Sequence, residues 1–347
     1  MAGHEPAWWY GTTIANRAAA LGLTPIAAIY GAVAQRRLSQ PPRYKSRLPV
    51  ICVGNFTAGG AGKTPFVQTL VELLRRRGEV SVVLSRGYGG RLSGPHWVDA
   101  HTDTARDVGD EPLLLAAHAP VVVARDRAKG ACAIEHGRPD QHSASVIVMD
   151  DGIQNPALAK SLVIAVIDAS RGVGNGRCIP AGPLRAPLAA QLQRADVLVL
   201  NTGSGAVASP LEAVTRNFSG PVLHASIAPV GDLAWLRGAP VIAFAGIGVP
   251  QRFFTTVAAA GAELRECVAF GDHHVFAAAD AMRLLQLART HRATLITTEK
   301  DFARLEPAAG SLADLRANTR TLPIRMALAA ADLEKLEQLI AARLQVR

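Results

Sequence analysis

A short apolar run at 50–53 leads into Gly54-Asn55-Phe56-Thr57-Ala58-Gly59-Gly60-Ala61-Gly62-Lys63-Thr64-Pro65, and helical spacing follows at 66–77. A buried strand, a glycine-rich turn and a helix, in that order, restrict the chain to an α/β fold that rests a phosphate on the helix N-terminus. The strict phosphate-loop pattern G-x-x-x-x-G-K-[ST] would need glycine at 57, where this chain has Thr57. Gly59 and Gly60 fall later in the turn instead. Thr57, Ala58, Gly59, Gly60, Ala61, Gly62, Lys63 and Thr64 are the expected nucleotide cradle. Lys63 would reach the terminal phosphates, and the Thr64 hydroxyl would ligate Mg²⁺. Pro65 suits a first helical turn, where its missing N–H has no helical partner.

After the loop the chain alternates. Apolar, β-branched runs at 81–84, 121–124, 146–149, 162–167 and 197–200 read as buried strands, with helical spacing at 66–77 and 111–118. This predicts a phosphate-loop NTPase-like parallel sheet with helices on both faces. A second set follows: strand 241–245, helix 253–260, strand 295–298 and a last helix at 333–344. The expected division is an N-terminal amphipathic helix and basic linker over 1–40, a phosphate-loop core over 41–220, and a smaller C-terminal α/β subdomain over 221–347 that closes the cleft.

The 347 residues carry a formal net charge of +9, which favours anionic partners. Aromatic residues are only 5% and are not interleaved with basic ones, so no nucleic-acid partner is expected. The four cysteines lie far apart with no C-x-x-C pair, so they read as small buried hydrophobes rather than as metal ligands.

Arg17 to Arg36 contains no charge, and Ile14, Ala18, Leu21, Ile26, Ile29 and Val33 recur at helical steps. Trp8, Trp9 and Tyr10 lie at one end, and Arg36, Arg37, Arg43, Lys45 and Arg47 follow the other. Pro25 falls mid-run, which argues against a span. A helix lying on an anionic membrane surface is the expectation.

The run at 146–149 ends in Asp150-Asp151-Gly152. A carboxylate at a buried strand tip beside a phosphate loop is placed to hold Mg²⁺. Adjacent carboxylates repel, so a cation belongs nearby. Gly109-Asp110-Glu111-Pro112 reads on spacing alone as a helix cap. Gly271-Asp272-His273-His274 reads as a loop with surface histidines. Thr297-Thr298-Glu299-Lys300-Asp301 ends a strand of the second set and would face the same cleft. Arg86, in Ser85-Arg86-Gly87-Tyr88-Gly89-Gly90, and Arg185, after Gly174-Asn175-Gly176-Arg177, suit phosphate contact.

The G-G-x-G-K-T arrangement resembles the variant loop of the ATPase group that includes the nitrogenase iron protein and the division-site ATPases. Ala58 stands where that group has a further lysine. The ordered set VGNFTAGGAGKTP, LSRGYGG, VGDEP, ARDR, VMDDGIQ, GNGRCIPAGPLR, GDHH and TTEKD, from about Val50 to Asp301, resembles the tetraacyldisaccharide 4'-kinase family of lipid A biosynthesis. That resemblance implies transfer of the ATP γ-phosphoryl group to the 4'-hydroxyl of an acylated glucosamine disaccharide 1-phosphate. It implies ATP and Mg²⁺ as cofactors, with no protein partner required. It also implies the cytoplasmic face of a bacterial inner membrane, reached through the N-terminal helix.

By the same resemblance Asp150 is the metal-holding acid, with Thr64, and Asp151 is its neighbour in catalysis. Asp110 matches the family's base, with His273 as its partner, which replaces the helix-cap reading. Glu111, Arg86, Arg127, Gln154 and Arg185 are the implied substrate or phosphate contacts. The family's D-D-G-F-Q-H is altered here to Ile153 and Asn155. The rival reading is a variant-loop switch ATPase or GTPase acting on a protein, against which Ala58 counts. Asn201-Thr202-Gly203 also lacks the N-K-x-D of a guanine reader.

Overall fold

The computed structural model describes residues 5–137, 143–203, 209–305 and 310–345. Among these, the strands are β1 Val50–Gly54, β2 Ser81–Ser85, β3 His96–Trp97, β4 Val121–Val123, β5 Val146–Asp150, β6 Leu162–Asp168, β7 Val197–Asn201, β8 Val222–Pro229, β9 Pro240–Ala245, β10 Glu263–Ala269, β11 Thr294–Thr298, β12 Thr319–Leu322 and β13 Ile324–Leu328. A nine-stranded sheet has the order β13-β8-β7-β6-β1-β5-β2-β4-β3, and a four-stranded sheet has the order β10-β9-β11-β12.

The larger sheet is parallel except at its two edges, where β13 and β3 run antiparallel. Its central strands are buried on both faces, as their unbroken apolar runs require. In β1, Ile51 and Val53 join the core on one face with Phe66, Leu70 and Leu74 of helix Lys63–Arg76. Val50 and Cys52 join the other, with Ala131 and Ile134 of helix Arg127–His136. The chain crosses from β5 to β6 on the other side of β1. That switch opens a crevice at the C-terminal tips of β1 and β5, where α/β folds hold ligands.

The two sheets do not divide the chain at residue 220. β8 extends the larger sheet beside β7, and β13 returns to pair with β8. The last helix, Ala330–Leu344, buries Leu336, Ile340 and Leu344 in the same core as Phe66. The smaller sheet is thus an insertion running from Pro240 to Leu322, held between β8 and β13 of the larger one. Its short C-terminal connection from Leu322 into β13 ties its position to the larger sheet.

The N-terminal segment forms two helices, Ile14–Gly22 and Thr24–Leu38, bent by 56°. Pro25 lies in the first turn of the second, where its missing N–H costs nothing. Small residues face inward: Ala20 and Ala27 are buried, and Gly31 lies against Cys178 and Pro187. The large apolar residues face outward, with Ile14 88% and Ile29 69% exposed beside Leu21, Ile26 and Val33. Among the described residues no single helix is long and apolar enough to cross a membrane. The aromatic end differs from expectation. Trp8 and Trp9 both donate their indole N–H to the Pro180 carbonyl at 3.1 Å, so they anchor the segment to the protein.

Candidate active site

The glycine-rich turn follows β1 and enters helix Lys63–Arg76 through Gly62, whose φ of +89° is open to glycine at little cost. A Cβ there would also meet Met326 at 2.9 Å. The loop is braced from within and from beside. Asn55 Nδ2 donates to the carbonyls of Thr57 (2.7 Å) and Gly59 (3.2 Å). The Ala58 N–H donates to Pro183 O at 2.8 Å, and Arg185 N–H to Phe56 O at 2.9 Å. The stretch ending at Arg185 is therefore the outer wall of the phosphate loop. Lys63 Nζ rests 3.1 Å from Asn55 Oδ1 and 3.8 Å from Asp151 Oδ1, held by groups a phosphate would replace.

In register, Val53 of β1 pairs with Asp150 of β5, so the loop begins beside the acidic pair. Asp150 is 2% exposed, and its Oδ1 has no hydrogen-bond partner among the described residues. Burial first, then the charges of Glu111 and Asp151, push its carboxyl well above the usual range. A buried, unpaired carboxylate oxygen beside a phosphate loop fits Mg²⁺. No cluster of three or more metal-ligating side chains occurs among the described residues, which suits this ion: it takes one or two carboxylates plus phosphate and water.

Because the folded state raises the Asp150 pKa, metal-free stability is greatest with Asp150 protonated and falls as pH rises through that raised value. Asp150→Asn is accordingly expected to raise the metal-free Tm at pH 8 by ~2 °C, on the order of 1 kcal/mol for a chain of this size, while losing phosphoryl transfer. Calorimetry without Mg²⁺ checks this, and a lowered Tm would show that the charge is already compensated.

Asp151 takes a left-handed φ of +52°, rare for a residue with a side chain. Arg185 Nη1 grips both its oxygens, at 2.7 and 2.8 Å. Burial raises the Asp151 carboxyl, but Lys63 and Arg185 outweigh it and bring the group down to about 2. Two neighbouring acids thus stand in opposite states, one needing a cation and one already supplied.

Asp110 opens helix Asp110–Ala116 after Gly109, whose φ is +92° and whose Cβ would meet Tyr88 O at 2.4 Å. Its Oδ2 is 3.1 Å from His273 Nδ1, 2.8 Å from Arg304 Nε and 3.8 Å from Lys300 Nζ. Burial pushes its carboxyl up, yet the His273 hydrogen bond and the Lys300 and Arg304 charges hold it far below the usual range. His273, with φ +57°, is the histidine placed here. His274 turns away, stacked on Phe270 and 2.9 Å from Asp280. Among the described residues only Asp151, His273 and Arg292 combine a side chain with positive φ, and two of these lie in this site.

The remaining expected contacts sort differently. Glu111 pairs with Lys300 at 3.1 Å and carries the charge felt at Asp150, linking the two acidic centres. Arg86 is exposed at the tip of β2, beside the cleft. Arg127 is corrected: at 1% exposure it does not open on the cleft. It donates to the carbonyls of Ala124 (2.6 Å) and Asp150 (3.2 Å), fixing the strand end from behind. Gln154 is likewise a brace, donating to Asn55 O and Gln191 Oε1. Arg185 is occupied by Asp151. Ile153 packs under Gly54, filling the core below the loop. Sequence reading passed over Arg304, whose signal was its place one helical turn after Lys300.

The chain is similar to known proteins over most of its length. The family model described as tetraacyldisaccharide-1-P 4'-kinase matches residues 19–345. A tetraacyldisaccharide 4'-kinase of Rhodopseudomonas palustris (strain BisB5) is 50% identical, over 92% of each chain. One from Bradyrhizobium sp. (strain BTAi1 / ATCC BAA-1182) is 51% identical, over 87% of this chain and 85% of its own. Among solved structures, LpxK from Aquifex aeolicus in complex with ATP has a TM-score of 0.72 at 27% identity, covering 94% of this chain and 99% of its own. The chain belongs to the tetraacyldisaccharide 4'-kinase family.

Proposed function

We propose that the protein transfers the γ-phosphoryl group of ATP to the 4'-hydroxyl of a tetraacylated glucosamine disaccharide 1-phosphate. The observation that carries this reading is the meeting of Asp110 and His273 across the cleft from the phosphate loop, within a chain of this family. The loop amides and Lys63 hold the phosphates and balance their charge. Asp150 Oδ1 and the Thr64 hydroxyl are the groups that would hold Mg²⁺. Mg²⁺, when bound, neutralises charge on the transferring phosphoryl group. The Asp110–His273 pair takes the hydroxyl proton as the oxygen forms its bond to the γ-phosphorus and the bond to ADP breaks. Arg185 and Lys63 keep Asp151 an anion at the edge of that site.

A switch ATPase would release ADP in response to a protein partner, whereas this chain, alone and purified, is expected to release it only when the acylated disaccharide is present. Steady ADP release without lipid, measured by a coupled assay, would restore the switch reading.

We further propose that the outward apolar stripe lies on the cytoplasmic face of the inner membrane, with Arg36, Arg37, Arg43, Lys45 and Arg47 against anionic headgroups. The stripe's exposure supports this, since Ala20, Ala27 and Gly31 face inward while the large apolar residues of the stripe face out. Ile26→Glu with Ile29→Glu is expected to weaken sedimentation with anionic vesicles about tenfold or more, while turnover of detergent-dispersed lipid persists. Equal sedimentation of the variant and the parent would remove the stripe from the membrane.

A further inference from the structure

The end of β11 runs into a short helix, Glu299–Arg304, that crosses to the larger sheet's side of the cleft. Thr298 caps it: the hydroxyl accepts from Asp301 N–H at 3.0 Å and donates to Asp301 Oδ2 at 2.7 Å. Lys300 and Arg304, one turn apart, share a face, and both meet helix Asp110–Ala116. Arg304 is nearly as buried as Asp110, each side chain being 7% exposed. Its guanidinium is engaged at all three nitrogens. Nε and Nη2 both point at Asp110 Oδ2, while Nη1 donates to Gly246 O and to Asp301 Oδ1, each at 2.7 Å.

His273 is shaped by the same group. Its N–H donates to Gly246 O, the carbonyl that Arg304 also holds. Its Nδ1 meets the same Asp110 oxygen as the guanidinium and lies 3.2 Å from Arg304 Nη2. Asp110 Oδ2 can only accept and Arg304 Nη2 can only donate, so a protonated Nδ1 serves the first contact and a bare Nδ1 the second. Nε2 is 3.9 Å from Asp272 Oδ2, too long for a hydrogen bond. The Tyr88 ring stands edge-on to the imidazole at 6.0 Å.

We propose that Arg304 is a positioning residue for the phosphoryl transfer: gripping Asp110 from across the cleft, it holds the carboxylate against His273 Nδ1 and so aligns the pair that takes the acceptor-hydroxyl proton. The inference rests on the kinase reading above. It gives the second sheet a part in catalysis. The arginine fork is what the geometry needs. It spans Asp110, Gly246 and Asp301 at once, whereas a lysine in its place would carry the charge without the fork. The groups facing the pair are Lys300, Arg304, Glu111, Asp272 and Tyr88, with Asp301 behind the guanidinium.

The test compares wild type, Arg304→Lys and Arg304→Gln, with γ-labelled ATP and the disaccharide lipid. Arg304→Lys is expected to lower kcat about 10- to 100-fold through misplacement, with KM for ATP unchanged and the acid limb of kcat/KM unmoved. Arg304→Gln, which also removes a positive charge beside His273, is expected to move that limb to higher pH. Wild-type kcat in Arg304→Lys, or an unmoved limb in Arg304→Gln, overturns the proposal. Arg304→Gln strips buried Asp301 of its cation and risks misfolding, so the ¹⁵N signals of the His273 ring provide a second reading. The contacts of Nδ1 with Asp110 and Arg304 should shape those signals in wild type and change them in Arg304→Lys, and identical ring signals in both overturn the proposal. Failure of wild type itself to label the lipid would sink the kinase reading instead.

Discussion

Asp110→Ala is expected to lower kcat about 10³-fold while leaving ATP affinity within about twofold, a loss inside the range of a positioned general base. The two effects separate because Asp110 lies on its own helix, away from the phosphate loop, and makes its contacts with the second sheet. Removing it leaves Arg304, Lys300 and His273 converging on nothing, so part of the loss is disorder among three cationic or protonatable groups. Asp110→Asn is the control. It keeps the shape, removes the charge and can present an N–H in place of an acceptor oxygen. If Asp110 acts through its anion, the two variants are similarly slow in single-turnover transfer. Calorimetric ATP binding checks the other half, and transfer at the parental rate in Asp110→Ala would remove this residue from the chemistry.

Lys63→Ala is expected to damage both steps, with kcat/KM for ATP falling about 10²–10³-fold, the scale for losing one charged donor to a developing charge. Lys63 opens the loop helix and is 11% exposed at the side chain, with Nζ poised between Asn55 and Asp151. The substitution also removes from Asp151 the first of the three cations that hold its carboxyl at about 2. Arg185 and Arg127 then keep it ionised, and the variant should lose stability at acid pH sooner than the parent. Titration calorimetry with ATP and the transfer assay read the two effects separately. Parental ATP binding would place the phosphates elsewhere than over this loop.

The fold was legible where residue type leaves little choice. The runs at 50–53, 146–149 and 162–167 are buried on both faces, so no alternation blurs them, and they appear as β1, β5 and β6. The Gly62-Lys63-Thr64 turn announces the helix because few other contexts need those residues. Less was legible where pairing depends on distant chain. Ile324–Leu328 is a short run with one charge, and nothing local says that it returns to β8.

Site residues followed the same division. Asp150 at a strand tip reads directly from sequence, whereas Asp110 reads as a helix cap until His273 and Arg304, more than 160 residues away, are brought against it. Arginine is the hardest residue to assign from sequence. Arg127 and Arg185 look suited to phosphate, yet each is committed to the protein, to a strand end and to Asp151, while Arg304, which sequence reading passes over, grips Asp110. Trp8 and Trp9 mislead similarly, since an indole N–H satisfies itself on a carbonyl as well as at a membrane interface.

The most direct test of the kinase reading is to incubate the purified chain with γ-labelled ATP, Mg²⁺ and tetraacyldisaccharide 1-phosphate, and then locate the label by mass and ³¹P spectra. Label is expected in the lipid, as a phosphomonoester on the 4'-oxygen, in step with ADP release and absent with Asp110→Ala. Label recovered only as inorganic phosphate, or on any other oxygen of the disaccharide, would contradict it.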